Sequence, residues 1–239
     1  MKIDILVFAA HPDDAELSCS GTIASHISLG KKVGIIDLTR GELGTRGNPD
    51  IRRDEAFRSK EILNLTLRDN LEMPDGFFNR SRENLISVAR KIREYQPEIV
   101  LANAIRDRHP DHGRAAKLVE EACFYSGLMK IDMIGSDGKP LGEWRPKAVY
   151  HYIQSNYIEP DFIVDISGFW EIKKRSIMAF DSQFFDPESD EPETFISSPV
   201  FLDFIESRCK MWGHMIGTRY GEGFTVNRNI GIKDLFDLI

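Results

Sequence analysis

Ile3-Asp4-Ile5-Leu6-Val7-Phe8-Ala9-Ala10 runs straight into His11-Pro12-Asp13-Asp14, an abrupt change from apolar to charged residues between positions 10 and 11. A short, nearly continuous apolar run of this kind fits a strand covered on both faces, as in a parallel sheet. It is too short for a membrane span. It also meets charged residues without a small-residue cleavage site, which sets it apart from a signal peptide. Helical spacing follows, with Leu17, Ile23 and Ile27 as the face and Gly30 as the stop, and Val33–Leu38 reads as a second strand. Strand, helix and strand in that order make a β-α-β unit.

The alternation continues. Gly41, Gly44, Gly47 and Pro49 mark a loop over Thr39–Asp50, and Arg52–Leu65 has apolar residues at helical spacing. Thr66–Met73 reads as a third strand, Ser81–Tyr95 as a helix capped by Ser81, and Glu98–Ala102 as a fourth strand. Asn103–Asp111 is then a loop and Ala115–Phe124 a helix. Beyond Tyr125 the pattern thins: Asp132–Gly142 is turn-rich, Ala148–Ile153 and Phe162–Val164 are strands, and Trp170–Phe180 is a helix. An acidic, proline-bearing loop covers Asp181–Glu193, and Phe201–Gly217 is the last long helix. The glycines of Gly221-Glu222-Gly223 suggest backbone close to a ligand or another chain.

These elements predict one domain over residues 1–239, a three-layer α/β/α sandwich around a Rossmann-like, mostly parallel sheet. Ligands collect at the carboxyl ends of strands in such sheets. His11 follows the first strand, and a second polar cluster, Arg108-His109-Pro110-Asp111-His112, follows the fourth. With 239 residues, 41% of them apolar, the chain can bury a substantial core. Its net charge of -7 argues against a nucleic-acid partner. Cys19, Cys123 and Cys209 are odd in number and form no CxxC pair, so neither a disulfide framework nor a zinc ribbon is indicated, and the reducing cytoplasm is the expected setting. No segment has the length of a membrane span.

A catalytic zinc site takes three protein ligands and keeps one position open. His11 and Asp14 suit two of them, across a tight turn stiffened by Pro12, and His112 suits the third. Asp13 then stands beside the metal as a free carboxylate, a candidate general base. His109, three positions before His112, is a candidate acid and oxyanion stabiliser, and Asp111 is spaced to hydrogen-bond a histidine and fix its tautomer. Each cluster has an ordinary reading too: Asp13 and Asp14 as helix caps, His109 and His112 as a solvated surface pair. Two such clusters after strands of one sheet favour the metal. His26, His151 and His214 have no such company and read as surface or satisfied core residues.

Ala10-His11-Pro12-Asp13-Asp14, Thr39-Arg40-Gly41-Glu42, Arg52 with Glu55, and His109-Pro110-Asp111-His112 together resemble the LmbE-like, or PIG-L, family of zinc-dependent N-acetylglucosaminide deacetylases. Asp107 to His112, Ser182-Gln183-Phe184 and Gly221-Glu222-Gly223-Phe224 look most like the bacillithiol-biosynthesis branch. The resemblance implies metal on His11, Asp14 and His112, Asp13 as base, and His109 as electrophile and acid in hydrolysis of the acetamide. It implies sugar contacts from Arg52 and Asp75, with Glu42 and Arg108 as further substrate-binding candidates. The branch's substrate is N-acetylglucosaminyl malate, whose carboxylates Arg52, Arg108 or Arg46 could clamp. It also implies a trimer or hexamer, and leaves Zn²⁺, Fe²⁺ and Mn²⁺ as candidate metals. Phe180 departs from an expected tyrosine, so Tyr152, Tyr157 or Tyr220 substitutes for its hydroxyl, or His109 suffices.

Three alternatives remain at this level. The same site could serve another N-acetyl sugar or an amide on a thiol conjugate. The chain could be a sugar-binding protein with a vestigial metal site, which the retained Asp13 argues against. A dinucleotide binder is disfavoured because His-Pro-Asp-Asp stands where GxGxxG is required.

Overall fold

The computed structural model describes residues 1–184 and 190–237. The first strand, β1 (Ile5–Ala9), is buried throughout. Its alternate side chains go to opposite layers. Leu6 and Phe8 pack with Val88, Ile92, Leu118 and Val119, whereas Ile5, Val7 and Ala9 pack with Ala15, Cys19 and Ile23. Each large side chain buried this way contributes about 1.5–3 kcal/mol, and burial on both faces is why the run does not alternate with polar residues.

Helix α1 (Asp14–Ser28) follows, then β2 (Val33–Asp37), α2 (Pro49–Leu63), β3 (Leu67–Asn70), α3 (Arg82–Tyr95), β4 (Ile99–Ala102) and α4 (Pro110–Ser126). The second half supplies β5 (Ala148–Tyr152), β6 (Phe162–Asp165), α5 (Trp170–Met178), α6 (Phe201–Met215) and β7 (Gly221–Val226), with a short 3₁₀ turn at Leu235–Asp237. The sheet order is β3-β2-β1-β4-β5-β7-β6. Strands β3, β2, β1, β4 and β5 are parallel, and β7 runs antiparallel to both β5 and β6. The layered, mostly parallel architecture expected from the sequence is thus present. Because β1 has β2 on one side and β4 on the other, connections diverge there and leave a crevice at the carboxyl ends of β1 and β4.

Several boundaries differ from the sequence reading. Helix α2 starts at Pro49, not Arg52, because Asn48 caps it by accepting from Asp50 N and Ile51 N, both at 3.0 Å. Helix α4 starts at Pro110, so Asp111 and His112 lie on its first turn and not in a loop. Strand β3 ends at Asn70 because the chain turns away through Glu72 at φ 51°. Helices α5 and α6 end two residues early, at Met178 and Met215.

Gly221-Glu222-Gly223 opens strand β7, which sequence reading did not assign. Its glycines approach the protein's own interior: a Cβ on Gly221 would lie 2.6 Å from Ile163 Cγ2, and one on Gly223 3.0 Å from Trp212 Cε2. Of the acidic loop expected over Asp181–Glu193, residues 185–189 lie outside the described residues. Among the described residues, no helix is long and apolar enough to cross a membrane.

Candidate active site

Both histidine clusters reach the crevice. His11 follows β1, Asp14 is the first residue of α1, and His112 lies on the first turn of α4. Those two helix starts bring the positive ends of their dipoles to the same place. Asp14 accepts from the His11 backbone N–H at 3.0 Å, its Oδ2 is 3.6 Å from His11 Nδ1, and its Oδ1 is 3.1 Å from His112 Nε2. The far nitrogen of each ring is held by another carboxylate. His11 Nε2 is 3.0 Å from Asp75 Oδ1 and 3.4 Å from Asp111 Oδ2, and His112 Nδ1 is 2.6 Å from Asp107 Oδ2.

This arrangement fits a bound divalent cation. Carboxylates orient both rings from behind, so their remaining nitrogens face one shared carboxylate, the environment metal-ligating histidines usually have. Positive charge is also needed on electrostatic grounds. Burial lowers the pKa of His11, yet hydrogen bonding to Asp111, Asp14 and Asp75 more than reverses this and holds it well above the usual value. His112 behaves alike: burial is outweighed by Asp14 and Asp107, and its pKa reaches about 9. Ligand atoms of His11, His109 and His112 lie within 4.8 Å of one another, as do those of His11, Asp75 and Asp111.

Asp13 occupies the N-cap position of α1 at φ 118°, but its side chain caps nothing. Such a conformation costs a non-glycine residue about 1–3 kcal/mol. The carboxylate turns instead to Arg52, whose Nη2 donates to Asp13 Oδ2 at 3.1 Å and also to the Pro12 carbonyl. Burial raises the Asp13 pKa to about 7, against the pull of Arg52. Gly41, at φ +67°, leaves room for Arg52, since a Cβ there would lie 2.0 Å from Nη1.

His109 caps α4 by accepting from Asp111 N at 3.3 Å through Nδ1, so in the neutral ring Nε2 carries the hydrogen. Burial and then the neighbouring His11 and His112 lower its pKa. A neutral N–H donor here can therefore stabilise an oxyanion by hydrogen bonding, whereas only its imidazolium form would supply a proton.

The remaining sequence candidates are distributed unevenly. Arg52, Asp75 and Arg108 line a cavity of about 230 Å³ with the histidines. Both carboxylate oxygens of Asp75 are engaged, by His11 Nε2 and by Leu43 N at 3.0 Å. Glu42 is exposed and supports this loop by accepting from Asp75 N at 2.9 Å. Arg108 lies over the Phe195 ring, 4.3 Å from its centre. Asp111 accepts from Gly76 N at 2.8 Å and from Arg114. Phe180 is buried in a core cluster with Ile166 and Trp170. Tyr152 donates to Phe8 O at 2.9 Å, Tyr220 to Glu206 at 2.9 Å, and Tyr157 to Glu159, so all three candidate hydroxyls are committed away from the cavity. His26 bonds Thr22 O at 2.8 Å, His214 is exposed, and buried His151 uses Nδ1 on Asn103 O at 2.9 Å while its Nε2 has no partner among the described residues.

Sequence reading missed Asn103 and Gln154, which clamp Asp14. Asn103 Nδ2 donates to Asp14 Oδ2 at 3.0 Å, and Gln154 Nε2 donates to Asp14 Oδ1 at 2.9 Å. Asn103 also donates to Gln154 Oε1 at 3.0 Å and accepts from Ala10 N at 2.9 Å, tying β4 to β1. Their positions just past β4 and β5 were the available signal.

Glu55 is equally instructive. It does not pair with Arg52; it accepts from Ser182 N at 2.7 Å and Ser182 Oγ at 3.0 Å, fixing the segment that brings Gln183 to the cavity. Burial, then a proton shared with Asp181, raises its pKa from 4.5 to about 7. The folded state therefore holds a proton that the unfolded chain releases, so the stability this group contributes is present below about pH 4.5 and lost as pH rises to about 7. Glu55→Gln is expected to flatten the fall in stability across that window, measured by urea unfolding at several pH values; an unchanged profile would refute it.

Comparison with known proteins agrees with this architecture. The PIG-L family model, described as GlcNAc-PI de-N-acetylase, matches residues 6–123. Diacetylchitobiose deacetylase of Thermococcus kodakarensis is 30% identical over 232 residues, covering 92% of this chain and 81% of that protein. The 4-oxalmesaconate hydratase of Pseudomonas putida is 27% identical over 197 residues, 74% of this chain and 73% of that one. The solved structure of the conserved protein TT1542 from Thermus thermophilus superposes with a TM-score of 0.86 at 32% identity, covering 98% of each chain. With a relative this similar matched across four fifths of its length, and the de-N-acetylase model spanning both histidine clusters, the chain belongs to the LmbE-like, or PIG-L, family of deacetylases.

Proposed function

We propose that this enzyme is a divalent-metal hydrolase that removes the acetyl group from a small N-acetylglucosaminyl conjugate, with N-acetylglucosaminyl malate as the substrate and the cytoplasm as its setting. The observation that carries the reading is Asp13: a buried carboxylate that neither caps its helix nor joins the His11, Asp14 and His112 set, but stands next to it. A binding protein has no use for such a base. His11, Asp14 and His112 would hold the metal, and their donor set suits Zn²⁺. The ion, when bound, supplies Lewis-acid polarisation and makes water acidic enough to be deprotonated near neutral pH.

Asp13 takes the proton from the attacking water, with Arg52 holding its carboxylate in place. His109 donates a hydrogen bond from its Nε2 hydrogen to the carbonyl oxygen as negative charge develops there, and the proton that Asp13 has taken up is passed to the departing amine. Arg52, Asp75, Glu42 and Arg108 form the substrate-binding group, and cationic Arg52 and Arg108, which line the cavity, suit the malate carboxylates, whereas Arg46 is bonded to the Ser182 carbonyl and Glu191. Asp111 steadies the His11 ring. Buried, unpaired Cys19, Cys123 and Cys209 suit a reducing compartment.

Acetate release from N-acetylglucosaminyl malate, abolished by a chelator and restored by Zn²⁺, Fe²⁺ or Mn²⁺ added singly, tests the reading and identifies the metal. Turnover only of N-acetyl sugars lacking malate would move the substrate assignment. Water addition to an unsaturated dicarboxylate, without acetate release, would replace the hydrolase reading.

The clamp on Asp14 gives a further expected result. Asn103→Ala and Gln154→Ala should each weaken metal binding by about 10–100-fold with the fold retained, measured by competition with a chromogenic chelator. Wild-type affinity in both variants would show that Asp14 needs no clamp.

A further inference from the structure

Arg208 reaches from α6 to the part of the cavity wall formed by Leu17 and Ser18 of α1. Its side chain stacks near Trp212, 5.3 Å from the ring centre, while Nη2 donates to Leu17 O at 3.0 Å and Nη1 to Gln154 O. Arg52 pairs with Asp13, and Arg68 with Glu16 and Asp37. Arg208 is only 8% exposed, yet its Nη atoms are held by two backbone carbonyls and, among the described residues, no carboxylate forms an ion pair with it. Burial lowers its pKa, outweighing the opposing pulls of Cys209, Glu222 and Asp107.

Two polar atoms of the residues at this wall, Arg208 Nε and Ser18 Oγ, have no hydrogen-bond partner among the described residues. Ser18 is 2% exposed and lies one helical turn beyond Asp14. A buried polar group left without a partner is costly, and a guanidinium without a carboxylate at the same cavity wall as an unpartnered hydroxyl calls for an acidic ligand group. We propose that Arg208 and Ser18 form a carboxylate-recognising subsite, so that the substrate carries an anionic group besides the amide to be cleaved. This rests on the amide-hydrolase reading and gives the cavity a specificity determinant separate from Arg52 and Arg108. The carboxylate belongs either to the aglycone, as in a malate conjugate, or to the acyl chain.

The test compares wild type, Arg208→Met, Arg208→Lys and Ser18→Ala on N-acetylglucosaminyl malate, methyl N-succinylglucosaminide and neutral methyl N-acetylglucosaminide. Loss of a charge-assisted bond should lower kcat/KM about 10–100-fold in Arg208→Met, chiefly through KM, on one acidic substrate. The neutral substrate should stay within about threefold. Which acidic substrate suffers identifies the carboxylate's source. Equal losses on all three, or no loss, would overturn the subsite. Should Arg208→Met fail to fold, Arg208→Lys and Ser18→Ala carry the same comparison. Should wild type cleave none of the three, the hydrolase reading fails and succinate binding decides the subsite: calorimetric binding to wild type that Ser18→Ala weakens would support it, and no binding to wild type would overturn it.

Discussion

Asp13→Asn should lower kcat for amide hydrolysis by about 10²–10⁴-fold, the range general-base catalysis supplies, while metal content and melting midpoint stay near those of the wild type. The substitution isolates the base from everything else Asp13 does. Asparagine has nearly the same shape, and it tolerates positive φ better than most residues, which matters at φ 118°. Its amide oxygen can still accept from Arg52 Nη2, now 3.1 Å from Asp13 Oδ2. What it cannot do is take a proton. Alanine would be a poorer probe, because it would leave buried Arg52 without its carboxylate and mix a folding defect into the rate. Rates would be compared at saturating metal, with metal content measured on the same samples. An Asn variant within about threefold of wild type would remove Asp13 from the chemistry and leave its strained backbone unexplained.

Much of this was legible from the sequence because the decisive features are local. The both-faces burial of β1 is written in one continuous apolar run, and His11, Asp13 and Asp14 occupy one turn. Bringing His112 to them needed only the assumption that both clusters follow strands of one parallel sheet, which the order of β1 and β4 bears out. What was missed depends on long-range packing. Asn103 and Gln154 look like ordinary loop residues until β4 and β5 set them around Asp14. Likewise, Asp107 is one aspartate among several until α4 turns His112 Nδ1 toward it. Strand β7 was obscured by its glycines, which have low strand propensity and are needed because Trp212 and Ile163 leave no room for a Cβ. The start of α2 was a different failure. Asn48-Pro49 is a sound cap-and-first-turn signal, and the neighbouring glycines drew it into the loop.

Lys173→Met should destabilise the fold by about 3–5 kcal/mol, the cost of removing one partner from a buried ion pair, against a total of about 5–15 kcal/mol for a protein of this kind. Lys173 and Glu222 are both fully buried, with Nζ 2.7 Å from Oε1. The ammonium also donates to the carbonyls of Glu16 at 3.0 Å and Leu17 at 3.1 Å, while Glu222 accepts from Gly21 N at 3.0 Å and Thr22 N at 2.7 Å. The pair thus joins α5 and β7 to the middle of α1, the helix whose first residue is Asp14. Removing the ammonium leaves a buried carboxylate facing two backbone N–H groups, which cannot balance a full charge. Removing the charge as well should therefore recover part of the loss: Lys173→Met with Glu222→Gln keeps an acceptor for one N–H and should be more stable than Lys173→Met alone. Urea unfolding of the two single variants and the double variant measures the coupling directly. A double variant no more stable than Lys173→Met would show that the unpaired charge is not the cause. A single-variant loss below about 1 kcal/mol, the scale of an exposed pair, would mean the pair does not anchor α1. If it does anchor α1, the variants should also bind metal more weakly in order of their instability, because the same helix that Glu222 grips carries Asp14 into the site.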